Sequence, residues 1–445
     1  MTMQPEGAPQ PESSDGQGEA CYRAMRSDIL HARIAPKERL RIERLRETYG
    51  SSVSTLRETL SRLAGEGLVV AEGHRGFIAA PATRAEFRDL AALRTLLEEH
   101  AIARAFARGD LEWEGLVVGA HHKLSRLEAA MIAGERDRTD LWKHYDRAFH
   151  AALISASGSA ALIETFLAIF DRYLRYQIVA MVFRGAAAAD EHAALKDAAL
   201  ARDAEGATAI LRHHVGGCVE QTAGAPALED GGGARWTPRP AAVDAAATVG
   251  EKAWFRLRED ILSGRLAPGR RLRLDALRAE YGFGVSTQRE VLNRLATEGL
   301  VVAEGQRGFE VSPVSREGLT EVADLRLLIE SHAIAASFAE GDDAWLAGVV
   351  AAYERLRASE TRMEAGDAAA TDDWKRCDWE FHQALIAACG SPVLMQVHGS
   401  VFDKYLRYQR VALSFRRGVA PAEHRALLDH ALARDAEAAR RTLAT

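Results

Sequence analysis

The chain has 445 residues and a mass of 48.5 kDa, with 47% hydrophobic and 27% charged residues, which is enough for two or more domains. It has no uncharged apolar run of 18 residues and its N-terminus is polar and acidic, which argues against a membrane protein and predicts a soluble, cytoplasmic one. Four cysteines without CxxC spacing argue against a disulfide scaffold or a zinc ribbon, and the net charge of −6 argues, for the chain as a whole, against nucleic-acid binding.

An internal repeat organises the sequence. The strings EGLVVAEG, YLRYQ and ARDAE begin at positions 66, 173 and 201, and each recurs 232 residues later. Residues 20–220 and 252–445 are therefore two copies of one unit. We expect a disordered tail over residues 1–19 and a flexible linker over 223–250, which is rich in Ala, Gly and Pro.

The first 60 residues of each copy are basic although the whole chain is acidic. Residues 20–80 contain 11 Lys and Arg against 7 Asp and Glu, and residues 252–312 contain 11 against 8. Clustered basic charge is typical of a surface that binds phosphate. The whole-chain charge therefore hides two candidate DNA-binding modules.

The order of signals in each basic module predicts a winged helix-turn-helix. A helix stops at a Pro-containing turn, a second ends at Gly50 or Gly282, and a third follows, with Ser54 or Ser286 able to cap it. VVAEGHRGFIAA and VVAEGQRGFEVS then predict two short strands around a glycine-flanked tip. These domains are predicted over 20–83 and 251–315, and the third helix is the one expected to enter the major groove.

The runs from Leu40 to Phe77 and from Leu272 to Phe309 resemble the GntR family of bacterial transcription regulators, whose recognition helix carries Ser-x-x-x-x-Arg-Glu-x-Leu before a glycine-rich wing. Where that family usually has Arg after the Ser, this chain has Val53 and Val285, and Gly284 replaces the second Ser. The resemblance implies a double-stranded DNA operator. It implies these DNA-binding residues: Ser52, Ser54, Thr55, Arg57, Arg75, Gly76, Ser286, Thr287, Arg289, Arg307 and Gly308. Glu58 and Glu290 are expected to position an arginine.

The rest of each copy, over 84–222 and 316–445, has helical periodicity and short turns, which predicts an all-α bundle and a mainly α fold overall. These portions resemble the effector domain of the FadR-type subgroup. Asp146 and His150 are spaced i,i+4 on one helix face, and His192 and His214 are placed to meet them across a helical hairpin. One Asp with three His suits a divalent transition metal, zinc or nickel, and the family spacing selects His214 over His213.

The second copy repeats three of these four residues, Asp378, His382 and His424. The fourth would fall at position 446, one beyond the given sequence, and the sequence leaves open whether this end is natural or a truncation. We therefore expect one tightly held metal ion in the first copy and a weaker site in the second. His430 lies too close to His424 in its helix to substitute simply.

Four arginines are candidate ligands for a small carboxylate effector. Arg175 and Arg407 lie in the YLRYQ repeats, where a surface salt bridge is an equal alternative. For Arg94 and Arg326, an i,i+4 pair with Glu98 or Glu330 offers an explanation without function.

The predicted function is a ligand-responsive DNA-binding regulator, a repressor released by a small carboxylate. The alternatives are a metal-dependent enzyme, disfavoured because no further Asp or Glu was seen to recur beside the metal motifs, and a duplicated regulator whose second half is degenerate. One chain is expected to form an intramolecular pseudodimer, with a homodimer as the alternative. Its two recognition helices are expected to bind half-sites about one helical turn apart. Gly284 and Gln288, in place of Ser52 and Leu56, predict an imperfect palindrome.

Overall fold

The computed structural model describes residues 14–72, 76–222, 224–231, 248–303, 308–411 and 419–444. In the first copy, the helices and the two-stranded hairpin occur in the predicted order. Its elements are α1 (Ser14–Leu30), α2 (Ile42–Tyr49), α3 (Val53–Gly65), β1 (Val69–Ala71), β2 (Phe77–Ala79), α4 (Arg84–Arg108), α5 (Leu111–Ile132), α6 (Thr139–Ile154), α7 (Ala160–Val179), α8 (Ala186–Ala201) and α9 (Ala204–Gln221).

The second copy repeats this order and adds one short strand. Its elements are α10 (Val249–Leu262), β3 (Arg271–Leu272), α11 (Leu274–Tyr281), α12 (Val285–Thr297), β4 (Val301–Ala303), β5 (Phe309–Val311), α13 (Arg316–Glu340), α14 (Asp343–Glu364), α15 (Thr371–Leu385), α16 (Pro392–Val411), α17 (Val419–Ala433) and α18 (Ala436–Leu443). The mainly α fold with small β wings is confirmed.

The wings are antiparallel and their registers match between the copies. Val69 pairs with Ala79 and Val301 pairs with Val311. In the second copy β3 adds to the far side of β5, giving the order β3-β5-β4, whereas the first copy has only a single bridge from Arg39 to Ile78 at that place.

The chain divides into two compact units, but not into its two copies. Of the described residues, one unit contains those of both winged modules (within 1–81, 242–258 and 269–312), and the other contains those of both helical domains (within 82–241, 259–268 and 313–445). In the helical unit the buried apolar side chains of the two domains form one continuous cluster, which includes Phe87 and Phe166 from one copy and Ile329 and Phe381 from the other. Each unit is thus built from corresponding parts of both copies.

Two segments differ from the sequence expectation. Helix α1 begins at Ser14, inside the region expected to be a disordered tail. Residues 224–231, expected to be linker, pack on the helical unit: Leu228 is buried, Glu229 bridges to Thr83, and Arg84 donates to the backbone oxygen of Ala225. Buried apolar contact and backbone pairing outweigh the Ala- and Gly-rich composition there.

A search of the described helices finds none that is long and apolar enough to cross a membrane.

Candidate nucleic-acid interface and metal centre

Helix α3 presents one buried and one exposed face. Ser52 accepts a hydrogen bond from the backbone N–H of Thr55 (3.1 Å), which caps the helix, while Leu56, Leu60 and Leu63 are fully buried. Val53, Ser54 and Arg57 are exposed. The predicted cap was wrong, because Ser54 lies inside the first turn and donates to Glu58. In the second copy Ser286 also lies inside the helix, and the cap position is Gly284, which has no side chain to contribute.

The two recognition helices expose the same side chains. Val285, Ser286 and Arg289 of α12 are exposed, as are their equivalents in α3, and Thr55 and Thr287 are half-buried. Within the described part of the chain neither Arg57 nor Arg289 forms an ion pair. Their guanidinium groups are therefore available for phosphate or for the O6/N7 edge of guanine.

Two expectations for this helix need correction. Gln288 is fully buried and donates to the backbone oxygen of Phe283 (2.9 Å), so it fills the core position of Leu56 and does not face DNA. Glu290 forms no ion pair with an arginine among the described residues and accepts a hydrogen bond from Ser61 of the other winged module (2.8 Å). The exposed reading surfaces of the two copies are thus more alike than the sequence comparison indicated.

Helices α3 and α12 pack directly against each other. The contact involves the C-terminal part of α3, where Gly65 faces Thr297 and Ser61 donates to Glu290. This contact does not fix the separation of the N-terminal ends that carry Arg57 and Arg289, so a half-site spacing of about one helical turn stays a prediction.

The wing tips include Arg75 and Arg307, which lie outside the described residues. The glycines that follow them are described: Gly76 has φ +93° and Gly308 has φ +94°. This is the region that disfavours residues with a Cβ, so glycine is needed to return the chain into β2 and β5.

Further exposed arginines recur in both winged modules and were not selected from the sequence. Arg41 precedes α2 and Arg46 lies in its last turn, and Arg273 and Arg278 are their counterparts at α11. All four are exposed and form no ion pair with a described residue. Their recurrence at the repeat offset was the available signal.

In the first helical domain the four predicted metal ligands meet. Asp146 and His150 come from α6, His192 from α8 and His214 from α9, and all four are buried. Ligand nitrogens of the three histidines lie within 4.8 Å of one another, and His192 Nε2 lies 3.4 Å from Asp146 Oδ1. His213, by contrast, is 76% exposed.

Each of the three histidines is oriented by a glutamate from a different helix. Glu98 of α4 lies 2.5 Å from His150 Nδ1, Glu128 of α5 lies 2.6 Å from His192 Nδ1, and Glu191 of α8 lies 2.8 Å from His214 Nδ1. His192 Nε2 forms no hydrogen bond with any described residue and is left for a metal, whereas His150 Nε2 lies 3.3 Å from the Arg94 guanidinium. This donor set fits a transition metal.

The electrostatics of the first site favour the metal-binding protonation states. Burial lowers the pKa of His214 to about 3 and also lowers the pKa of His150, so both imidazoles are neutral at neutral pH. Burial alone would raise the pKa of Asp146, but Lys143 and the histidines hold it well below its usual range. Metal binding requires neutral imidazole and ionised carboxylate.

In the second helical domain the three equivalent residues Asp378, His382 and His424 also lie close together. His382 Nδ1 contacts Glu330, and His424 Nδ1 lies 2.6 Å from Glu360. His424 Nε2 lies 3.1 Å from Asp378 Oδ1. Although burial disfavours its charge, the hydrogen bonds with these carboxylates raise the pKa of His424 to about 9, so an internal ion pair occupies this site.

A cavity of about 410 Å³ opens onto the second site, a volume in the range of small-molecule pockets. Arg326, Asp378, His382 and His424 line it together with Tyr405, Gln409 and the last described residues, Thr442, Leu443 and Ala444. His430 is not part of this lining and contacts Thr442 at 3.2 Å.

The four arginines predicted to bind an effector divide into two pairs. Arg94 and Arg326 contact the metal-site histidines His150 and His382, but each is also paired with the glutamate four residues on, Glu98 (3.1 Å) or Glu330 (2.9 Å). Arg175 is buried beside Tyr176 and Glu86, and Arg407 is buried beside Tyr408. The structure therefore brings the first pair, and not the second, to the candidate metal sites.

The orienting glutamates also correct an expectation. No acidic residue was expected to recur beside the metal motifs, yet each one does, as Glu98 and Glu330, Glu128 and Glu360, and Glu191 and Glu423. The repeat offset could have identified them. Their pairing in space could not be read from the sequence, because they lie on helices far from their partners in the chain.

Comparisons with known proteins agree with this architecture. The model of the bacterial regulatory proteins of the gntR family matches residues 17–78 and 250–311, and that of the FCD domain matches 89–217 and 321–445. The uncharacterised HTH-type transcriptional regulator BphR of Paraburkholderia xenovorans is 41% identical over 202 residues, which cover 44% of this chain and 81% of BphR. The HTH-type transcriptional repressor GlaR of Escherichia coli is 34% identical over 189 residues, which cover 40% of this chain and 83% of GlaR.

Solved structures align with about half of the chain. A transcriptional regulator structure from Rhodococcus sp. RHA1 has a TM-score of 0.41 and 22% identity, covering 47% of this chain and 99% of that structure. E. coli McbR/YncC has a TM-score of 0.38 and 22% identity, covering 44% and 92%. A gntR-family match followed by an FCD match, once in each half, shows that the chain is a tandem member of the GntR family of DNA-binding transcription regulators.

Proposed function

We propose that one chain binds one duplex operator with both winged modules as a repressor, and that a small carboxylate held with zinc or nickel in the helical unit releases it. The main support for DNA binding is that the two recognition helices contact each other and expose matching side chains. The repressor role is supported by the relative GlaR, which is named a transcriptional repressor.

The exposed arginines provide the charge for phosphate binding. Arg57 and Arg289 lie one turn into the recognition helices, where the N-terminal residues of such helices contact bases and phosphates. Arg41 and Arg273 add exposed charge at the preceding helices. Because the same exposed arginines recur in both winged modules, the two modules are suited to two similar half-sites on one duplex.

Asp146, His150, His192 and His214 would hold the metal ion in the first domain. A bound zinc or nickel ion would supply open coordination positions that can accept a carboxylate oxygen. The glutamates on Nδ1 fix the orientation of the three imidazoles, and Lys143, 3.5 Å from Asp146 Oδ2, favours the ionised form of that carboxylate. The chain thus supplies a preorganised site.

The second domain offers an anion site beside its cavity. In the first domain Lys143 donates to Gln177 (2.7 Å). The equivalent Lys375 Nζ and Gln409 Oε1 are buried and make no hydrogen bond within the described residues. Burial lowers the pKa of Lys375 to about 8, so its ammonium is still mostly charged at pH 7. Lys375 is not part of the cavity lining, and Arg326 is the cation that a carboxylate in the cavity would meet.

The enzymatic alternative has less support. Metal-assisted hydrolysis needs a general base free to take a proton from bound water. Three acidic side chains beside the first site, Glu98, Glu128 and Glu191, each contact a histidine Nδ1. Their geometry suits orientation of the ligands.

Protection mapping followed by fluorescence anisotropy tests the proposal. The duplex is taken from DNA flanking the gene, and affinity is measured at stated salt concentrations with and without zinc and a series of small carboxylates. Arg57→Ala and Arg289→Ala should each weaken binding by about 1–3 kcal/mol, whereas Arg357→Ala, on an exposed surface of α14, should leave affinity unchanged. Equal affinities in all three variants would contradict DNA binding through these helices.

A further inference from the structure

The two helical domains pair about a local pseudo-two-fold axis. Glu321 of α13 accepts a hydrogen bond from the backbone N–H of Ala161 at the start of α7 (3.0 Å). Its equivalent, Asp89 of α4, accepts from Val393 at the start of α16 (3.3 Å). Each domain therefore places an acidic side chain at a helix N-terminus of the other, which is a favourable position for negative charge. These reciprocal contacts define a self-complementary surface.

Other contacts across the same surface are not reciprocal. Arg104 of the first domain forms an ion pair with Asp324 of the second (3.0 Å). At the repeat offset the position equivalent to Arg104 is Ala336, and the position equivalent to Asp324 is Ala92. If two first domains paired in this geometry, Arg104 would face alanine, and if two second domains paired, Asp324 would face alanine. Only the mixed pair forms the ion pair.

The recognition helices show the same asymmetry in shape. Gly65 at the end of α3 and Thr297 at the end of α12 are equivalent positions, and they face each other across the contact. A Cβ placed on Gly65 would lie 3.3 Å from Thr297 Cγ2, so the glycine leaves room for the threonine with little to spare. Two threonines would crowd this position and two glycines would leave a gap.

We infer that the two halves have diverged into a specific heteropair, in which the surface of each half fits the other half better than a second copy of itself. Two separate contacts distinguish the mixed pair from a pair of identical halves. One is the ion pair between Arg104 and Asp324, and the other is the fit of Gly65 against Thr297. Because of this specificity, the first half of the chain pairs with the second half in preference to another first half. It goes beyond the proposed function and does not depend on DNA or effector binding.

Cleavage of the folded full-length protein tests this inference. A site-specific protease sequence is inserted after residue 236, and the folded chain is cut, incubated to allow exchange and weighed by native mass spectrometry. The halves should be found as one first half with one second half. Homotypic pairs, a statistical mixture, or halves that separate into monomers would each overturn the inference.

Reciprocal substitutions supply the matched control. Arg104→Asp should lower the mixed-pair fraction because it places like charges together, and the double variant Arg104→Asp, Asp324→Arg should restore it. In the uncut protein, Gly65→Thr and Thr297→Gly should show a non-additive effect on thermal unfolding, with the double variant closer to the parent than the two single shifts predict. Additive effects in both cycles would show that these positions do not choose the partner.

Discussion

We expect the metal affinity of the first helical domain to depend on glutamates that contact the histidines and would not themselves bind the ion. Glu128 Oε1 lies 2.6 Å from His192 Nδ1, and both side chains are buried. Glu128→Gln keeps the size of the side chain and removes its charge, so the imidazole becomes a weaker and less firmly oriented donor. Loss of such an outer partner typically reduces metal affinity about 10–100-fold, which corresponds to about 1.4–2.7 kcal/mol.

The second domain provides a matched control for this substitution. Glu360 occupies the equivalent position and contacts His424 Nδ1 at 2.6 Å. Zinc affinity is measured by competition with a chromophoric chelator, and stoichiometry by elemental analysis after dialysis. The parent should hold close to one tight ion per chain, Glu128→Gln should weaken that site, and Glu360→Gln should leave it unchanged. Two equivalent ions in the parent, or equal losses in both variants, would refute the assignment.

Three further predictions follow from the described contacts. Because α3 and α12 expose the same residue types, protection mapping should reveal two nearly identical half-sites; two unrelated half-sites would contradict the matched exposed faces of the two helices. The pKa of His424 is raised to about 9, so in metal-free protein its stabilisation is complete below pH 6.5 and declines, on the order of 3 kcal/mol, as pH rises to 9; thermal unfolding of His424→Gln should lack this decline. Leu60→Ala should cost about 2–5 kcal/mol in the stability of its winged module, whereas Val53→Ala on the exposed face should cost little; equal melting temperatures would argue against the assigned core face.

The repeat and the apolar periodicity predicted most of the fold. The spacing of Leu56, Leu60 and Leu63 identified the buried face of α3, because residues three and four apart share one side of a helix. The cap was misplaced by two residues, since both Ser52 and Ser54 are good capping residues and only backbone geometry distinguishes them. Gln288, in place of Leu56, was expected to make the two half-sites differ, but its buried position followed from its equivalence to Leu56.

The candidate metal ligands could be predicted from the sequence, but the glutamates that contact them could not. Asp146 and His150 share a helix face, so their spacing alone brings them together. Glu98 and Glu128 reach the site from α4 and α5, and which helices are neighbours depends on tertiary packing. The same limitation applies to Arg175, whose burial beside Tyr176 could not be distinguished from a pocket position by sequence spacing.

The most direct test of a one-chain DNA-reading unit is the stoichiometry of the operator complex. The mapped operator duplex is titrated with protein at concentrations well above the dissociation constant, and the mass of the complex is measured by light scattering. The structure predicts saturation at one chain per duplex, with both winged modules engaged. Saturation at two chains per duplex, or the absence of a saturable complex, would contradict it.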